Sequence, residues 1–186
     1  MVARNTVAVL FTGGKDSTNV IQLLRERGYD VACLVTILSD NQESYMLHTA
    51  AIEVTKLSSQ ALSIPLFVGH TKGEKETELE DISSAIKGAS SEFSFDTIAS
   101  GGIASSYQRD RIDGIAKRLG LKAQAPLWGV DQVSYLQNLV TNRYKFILTS
   151  VSAEGLDRSW LGREIDQRSI LEIIYLSKKY GFNAAF

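Results

Sequence analysis

The sequence predicts an α/β fold in which helices cover both faces of a parallel sheet. Short apolar segments alternate with longer amphipathic segments whose apolar residues recur at helical spacing, which is typical of strand–helix–strand crossover units. Glycine and polar residues are concentrated just after the apolar segments, as expected for ligand-binding loops at the carboxyl edge of such a sheet. With 186 residues, of which 44% are hydrophobic and 22% charged, the chain is long enough to bury one good core.

Six apolar segments are predicted to form the strands. The first, 7–11, is apolar throughout, which is typical of a strand buried on both faces. The two prolines, Pro65 and Pro126, fall at strand edges, where they do not interrupt a hydrogen-bonded ladder. In chain order, the predicted strands cover 7–11, 31–38, 66–68, 97–100, 122–125 and 145–151.

The amphipathic segments predict six helices. Ser17 is expected to cap the first, which has apolar residues at core spacing and ends at Gly28. The charges of the acidic stretch 74–80 are expected to lie mostly on a solvated face. The five later helices are expected within 45–63, 75–87, 112–119, 133–140 and 170–176, the last ending near Gly181.

Composition and charge exclude several classes of protein. A net charge of −1 argues against a broad basic surface, so we expect no direct nucleic-acid binding. The single cysteine, Cys33, excludes an internal disulfide and a cysteine-rich zinc site, and it fits a reducing compartment. The first apolar run is too short for a secretory signal, and no run approaches the length of a membrane span. We therefore expect a cytoplasmic protein that does not associate with membranes.

The most informative segment is the turn Thr-Gly-Gly-Lys-Asp-Ser at 12–17, directly behind the first predicted strand. Two adjacent glycines let a ligand approach the main chain closely, and the amides that follow belong to the first turn of a helix, which attracts anions. Lys15 adds a positive charge, and Thr12 and Ser17 add hydroxyl groups. This pattern predicts a phosphate-binding turn. Asp16 beside a phosphate indicates a cation, so Asp16 is a candidate Mg²⁺ ligand.

The spacing within this turn excludes two familiar nucleotide-binding motifs. The Walker motif needs a longer interval between its first glycine and its Gly-Lys pair, and the Gly-x-Gly-x-x-Gly fingerprint is absent. An ordinary strand-to-helix turn remains an alternative, because Gly-Gly is common in turns.

The loops after the other predicted strands also hold unusual residues, among them His48, Glu74, Arg109 and Trp128. Each has an ordinary interpretation as well: a surface histidine, a solvated carboxylate, an exposed ion pair that stabilises little or a packing aromatic. Their concentration on one predicted edge of the sheet favours a shared site. The two histidines do not have metal-ligand spacing.

The turn at 12–17 resembles the Ser-Gly-Gly-x-Asp-Ser loop of the N-type ATP pyrophosphatases, or PP-loop enzymes, with threonine in place of the first serine. That superfamily includes GMP, asparagine and NAD synthetases and tRNA thiolases. The resemblance implies a Rossmann-like fold of the adenine nucleotide alpha hydrolase type. Later segments resemble the short archaeal form of the diphthine–ammonia ligase family, in order along the chain: 43–48, 73–76, 106–109, 126–129, 152–157 and 160–163.

The family resemblance also implies how the chain is divided. Members continue with a motif of the type Glu-Gly-Gly-Glu-(Phe/Tyr)-Glu-Thr, which should begin where this sequence stops, at 183–186. We therefore expect an ATP-pyrophosphatase domain over 1–152 and the start of a substrate-side region over 153–186 that is truncated.

The resemblance implies that ATP adenylates the diphthine carboxylate of translation elongation factor 2, and that ammonia then forms the diphthamide amide, releasing AMP and pyrophosphate. ATP and Mg²⁺ are the implied cofactors, elongation factor 2 and ammonium the implied partners, and a homodimer stays open. Catalytic roles are implied for Lys15 and Asp16. The candidate ATP-binding residues are Thr12, Gly13, Gly14, Lys15, Asp16, Ser17, Thr36 and Gly102, and the candidate substrate-side residues are Tyr45, His48, Glu74, Arg109 and Trp128.

Two other functions stay open. The same ATP site would serve tRNA thiolation or another amidation, although thiolases of this superfamily usually need further cysteines and Cys33 stands alone. A non-catalytic ATP-binding module, similar to the universal stress proteins, would share the architecture. It would release no pyrophosphate with any substrate, and this difference separates it from an enzyme.

Overall fold

The structure is a computed structural model that describes residues 5–41, 54–74 and 77–185. The chain divides into two compact units, Met1–Trp128 and Gly129–Phe186. The domain boundary predicted after residue 152 falls inside the second of these units.

The first unit is built on a five-stranded sheet. Its strand order is β3-β2-β1-β4-β5, and every neighbouring pair is parallel. The α/β fold with a parallel sheet is therefore confirmed. The strands are β1 (Thr6–Leu10), β2 (Asp30–Ser39), β3 (Leu66–Thr71), β4 (Thr97–Ala99) and β5 (Lys122–Gln124).

Six α-helices lie within the described ranges, and none is long and apolar enough to cross a membrane. The first four alternate with the strands of the sheet, and the last two belong to the second unit. They are α1 (Lys15–Glu26), α2 (Thr55–Leu62), α3 (Glu78–Glu92), α4 (Ser106–Arg118), α5 (Gln132–Thr141) and α6 (Gln167–Tyr180).

Helices cover both faces of the sheet, as predicted. Ala8, Val35 and Ile37 pack into one core cluster with Ile82 of α3 and Ile112 of α4. Successive side chains of a strand point to opposite faces, so the intervening residues of β1 and β2 face the other side, where α1 packs on these two strands. Burial on both faces explains why the first apolar run shows no alternation of polar residues.

The strand order places a topological switch point between β1 and β4. The chain runs outward from β1 to β2 and β3, then returns to the other side of β1 and continues through β4 to β5. The loops after β1 and β4 therefore leave neighbouring strands in opposite directions, which opens a crevice between them. This is the position at which open α/β sheets bind ligands.

The sixth predicted strand, 145–151, does not form. In its place the second unit has two isolated bridges, an antiparallel one between Ile147 and Glu164 and a parallel one between Leu148 and Leu161. Two single bridges of opposite orientation cannot extend into a ladder. The apolar residues of this segment satisfied the strand pattern, but the pattern carries no information about a pairing partner.

Helix α3 starts later than the sequence predicted, at Glu78, and runs on to Glu92. The solvated-face interpretation of 74–80 is wrong for Glu78, which is only 1% exposed. A negatively charged residue in the first turn of a helix is stabilised by the positive end of the dipole, and this favours Glu78 at its buried position.

Ser105 caps α4 and thereby fixes the turn that carries Gln108. Its hydroxyl oxygen accepts a hydrogen bond from the Gln108 backbone N–H at 3.2 Å. We expect Ser105→Ala to destabilise the protein by about 1 kcal/mol, because an N-terminal amide loses its partner. Chemical denaturation measures the effect. Ser106→Ala, one residue further along and exposed, is the matched control and should be near neutral; equal losses in both variants would contradict the capping role.

Candidate active site

The loop after β1 starts at Phe11, whose backbone is held by two hydrogen bonds. The Phe11 N–H donates to the Val35 carbonyl at 2.9 Å, and the Phe11 carbonyl accepts from the Thr36 hydroxyl at 2.7 Å. Thr36 is 1% exposed, so its side chain braces the base of the loop from inside the fold. The candidate nucleotide-binding role of Thr36 stays a prediction; its neighbours Val35 and Ile37 are the β2 residues that line the cavity described below.

The two glycines of the loop have different conformations. Gly13 has φ +75°, a backbone conformation that residues other than glycine rarely adopt. Gly14 is extended, with φ −75° and ψ 167°, and is the N-cap residue of α1. The helix therefore begins at Lys15, and the prediction that Ser17 caps it is wrong. The backbone becomes helical two residues before Ser17, the residue predicted to be the cap.

Ser17 closes the turn. Its hydroxyl donates to the Gly14 carbonyl at 3.2 Å and accepts from the Thr12 N–H at 3.3 Å, and the Thr12 hydroxyl lies at the same distance. With 4% of its surface exposed, Ser17 holds both ends of the loop together. The amides at the start of α1 are thus presented by a preformed turn, as an anion site requires.

Lys15 and Asp16 form an ion pair within the loop. The Lys15 ammonium lies 3.1 Å from a carboxylate oxygen of Asp16, and their side chains are 10% and 26% exposed. Both charges therefore lie at the start of α1, where the helix dipole also acts. The pair places a cation and a carboxylate side by side at the N-terminus of α1.

The loop after β4 packs directly on this turn. A Cβ added to Gly101 would lie 3.0 Å from the Ser17 nitrogen and 3.2 Å from the Asp16 carbonyl carbon. Gly102, the glycine selected from the sequence, lines the adjacent cavity and has open space around it. Gly101 is not among the residues predicted from the sequence. The Gly-Gly pair was visible, but only the tertiary structure distinguishes the glycine in contact from the glycine beside open space.

A cavity lies at the crevice between β1 and β4 and is bordered by both loops. It is mostly apolar on the side formed by the sheet, α3 and α4: Leu10, Phe11, Val35, Ile37, Ile82 and Ile112. Its polar border is formed by Thr12, Asp16, Ser17, Ser100, Gln108 and Arg109. An apolar wall beside a few convergent polar groups is the usual composition of a small-molecule site.

Arg109 and Trp128 meet at this edge of the sheet. The Arg109 guanidinium lies over the Trp128 ring, 4.8 Å from its centroid, within the range of a cation–π interaction. Arg109 also lies 3.7 Å from Asp113, one helical turn further along α4. The structure thus brings together two residues that the sequence placed in separate loops.

Of the candidate substrate-side residues, Arg109 lines this cavity, whereas Trp128 and Glu74 are not among its lining residues. Glu74 lines a second, open cleft with Asp40, His70 and Asp81, in which the Thr71 hydroxyl donates to Asp81 at 2.6 Å. Tyr45 and His48 lie outside the described residues.

Two groups bear on metal and thiol chemistry. Among residues 5–41, 54–74 and 77–185, no three His, Cys, Asp or Glu side chains cluster as a metal site. Asp16 alone still suits Mg²⁺, which is commonly held by one or two carboxylates together with substrate phosphates. Cys33 is fully buried, and burial raises the pKa of its thiol to about 12, so it is protonated and inert at neutral pH.

Comparison with known families identifies the chain. The family model of the diphthamide synthase N-terminal domain matches residues 5–123, and that of the diphthamide synthase C-terminal domain matches residues 131–186. The chain belongs to the diphthamide synthase family. The N-terminal match contains both loops that border the cavity, including the turn at 12–17 and Arg109.

Individual relatives agree with this assignment. The diphthine–ammonia ligase of Bos taurus is 30% identical over 94% of this chain and 72% of its own length, and that of Homo sapiens is 31% identical with the same coverage. Among solved structures, the U34-tRNA thiolase of Methanococcus maripaludis aligns with a TM-score of 0.51 at 17% identity, covering 98% of this chain and 70% of its own. That similarity concerns the fold alone.

Proposed function

We propose that this diphthamide synthase family member is an AMP-forming diphthine–ammonia ligase that amidates diphthine on translation elongation factor 2. The observation that carries the proposal is the preformed turn at 12–17, with its ion pair and helix N-terminus, beside an apolar cavity at the switch point. This arrangement suits a nucleotide whose base needs an apolar wall and whose phosphates need amides and a cation. The names of the relatives support the choice of substrate.

The proposed reaction has two steps. The diphthine carboxylate oxygen attacks the α-phosphorus of ATP, the bond between that phosphorus and the β-phosphate bridging oxygen breaks, and pyrophosphate leaves. Ammonia then attacks the carbonyl carbon of the acyl-adenylate and loses a proton, and AMP leaves with the electrons of the C–O bond. Negative charge grows on the pyrophosphate during the first step, so the amides behind Gly13 and the Lys15 ammonium act where they stabilise the transition state.

Asp16 is the residue we assign to Mg²⁺. Bound there with the phosphates, the ion would neutralise charge on the leaving group. Lys15 remains close enough to Asp16, at 3.1 Å, to orient its carboxylate. No protein nucleophile is required, and the buried, protonated Cys33 is unsuited to the thiolate chemistry of a thiolase.

The substrate side is assigned by charge. The diphthine head is a quaternary ammonium, which carboxylates and aromatic faces attract. The cleft that contains Glu74 also contains Asp40, Asp81 and one lysine, Lys72. Its three carboxylates outnumber the single ammonium, so it suits a cationic group. We propose Tyr45 and His48 as further substrate-binding residues. We propose free ammonium as the nitrogen source, the cytoplasm as the site of action and a homodimer as a state to test by light scattering.

The test uses the full chain with ATP, Mg²⁺, ammonium and elongation factor 2 that bears diphthine. We expect amidation of the factor by mass analysis of its modified peptide, with AMP and pyrophosphate released in equal amounts. Reactions without ammonium or without ATP are the controls. An unchanged factor, or ADP in place of AMP, would contradict the proposal, and complete absence of pyrophosphate would indicate a non-catalytic ATP-binding module.

A further inference from the structure

We propose that Arg109 binds the α-phosphate of the nucleotide, and that Trp128 is a positioning residue that holds the Arg109 guanidinium at the cavity. The inference rests on the proposed ATP site and assigns the two halves of ATP to different loops of that site. The turn at 12–17 holds the pyrophosphate half of ATP, and the first turn of α4 holds the half that becomes AMP.

The location of Arg109 supports the first part. Arg109 and Gln108 lie in the first turn of α4, directly after the β4 loop, and both line the same cavity as Asp16 and Ser17. The β1 and β4 loops border the crevice from its two sides. A nucleotide in this crevice with its terminal phosphates on the turn at 12–17 therefore directs its α-phosphate toward the α4 side.

Charge decides which ligand Arg109 takes. A guanidinium repels a quaternary ammonium, and at 4.8 Å it occupies a face of the Trp128 ring that such an ammonium would need. The diphthine head is therefore an unsuitable ligand for this pair. An anion is suitable, because a guanidinium offers several N–H donors in one plane and matches phosphate oxygens.

The contacts of Arg109 within the described chain leave these donors available. Its ion pair with Asp113 is 3.7 Å long, which exceeds hydrogen-bonding distance. The contact with Trp128 places the guanidinium carbon 4.8 Å from the ring centroid, and the Arg109 side chain is 44% exposed, so N–H groups of the guanidinium remain accessible to a ligand. Trp128 is itself fixed by a turn, in which its N–H donates to the Ala125 carbonyl at 3.0 Å.

The experiment compares binding of AMP with binding of inorganic pyrophosphate, each with Mg²⁺, by titration calorimetry of the full chain. We expect Arg109→Gln to weaken AMP binding by roughly 10- to 100-fold, as for loss of a charged hydrogen bond, and to leave pyrophosphate affinity unchanged. Trp128→Leu should weaken AMP binding by roughly two- to fivefold, as for loss of a cation–π contact. Trp128→Phe keeps an aromatic face and should retain most of the affinity.

Lys117→Gln is the matched control, because Lys117 is an exposed cation of the same helix outside the residues that line the cavity, and we expect it to bind AMP like the unaltered chain. Equal weakening of AMP and pyrophosphate by Arg109→Gln, or no weakening of AMP, would overturn the proposal, as would an unaltered chain that binds no AMP. If Trp128→Leu does not fold, Trp128→Phe is the variant that tests the positioning role. AMP affinity of Trp128→Phe as low as that of Arg109→Gln would exclude that role. Diphthine is absent from these titrations, so their outcome is separate from that of the amidation assay.

Discussion

Replacing Lys15 by methionine is expected to slow pyrophosphate release by roughly 100- to 1000-fold, the usual effect of removing one donor that stabilises a developing oxyanion. Methionine keeps an unbranched side chain at a position where Lys15 is only 10% exposed, so the change removes charge with little change in packing. The rate is measured as pyrophosphate released from ATP in the presence of diphthine-bearing elongation factor 2 and ammonium.

The matched control for this prediction is Lys56→Met. Lys56 is an exposed lysine of α2, outside the residues that line the cavity, and its replacement should leave the rate unchanged. Thermal unfolding of both variants separates a loss of catalysis from a loss of fold. A Lys15→Met protein that is folded and turns over at the unaltered rate would remove Lys15 from the mechanism.

Replacing Gly101 by alanine is expected to disable the site by displacing the loop after β1. The new methyl group would lie 3.0 Å from the Ser17 nitrogen and 3.3 Å from the Asp16 Cβ, closer than ordinary van der Waals contact. Overpacking of this kind destabilises a protein by about 1–3 kcal/mol. Because a small misplacement of catalytic groups lowers rates by up to about 100-fold, we expect a loss of turnover beyond the loss of stability.

Gly102→Ala tests this explanation. It makes the same chemical change one residue away, and its Cβ would meet no atom within 4 Å. Neither glycine has a positive φ, so both replacements have the same backbone consequences and differ in the contact. Denaturant unfolding should show a loss of stability for Gly101→Ala only. Equal stability of the two variants would contradict the close approach of the loops.

The sequence predicted the sheet well because strands that are buried on both faces appear in the sequence as continuous apolar runs. The run 7–11 is apolar throughout, and the structure places Val7, Ala8 and Val9 at 0% exposure between two layers of helices. The segment 145–151 contains a shorter apolar run, at 146–148, and forms only isolated bridges. Pairing depends on a neighbouring strand, which local pattern does not supply, so the prediction succeeded for five strands and failed for this one.

The candidate site was predictable where the backbone adopts a conformation that only glycine readily takes. Gly13 has φ +75°, and its need for glycine marks the turn in the sequence. Gly101 has an ordinary conformation, so its role is set by a distant loop against which it packs. Ser17 likewise forms hydrogen bonds to Thr12 and Gly14 across the turn. Serine is common at helix N-caps in general, which is why the sequence predicted the wrong N-cap residue.

The sequence by itself determined the α/β class, the glycine-bearing turn after the first strand and the resemblance to diphthine–ammonia ligases, because each depends on short segments whose residues are close together along the chain. Only the tertiary structure decided which residues share a cavity. It put Arg109 beside Trp128 and both glycine-bearing loops against each other, and it assigned Glu74 to a different cleft. The physical reason is the strand order, which makes neighbours of β1 and β4 although the chain visits two other strands between them.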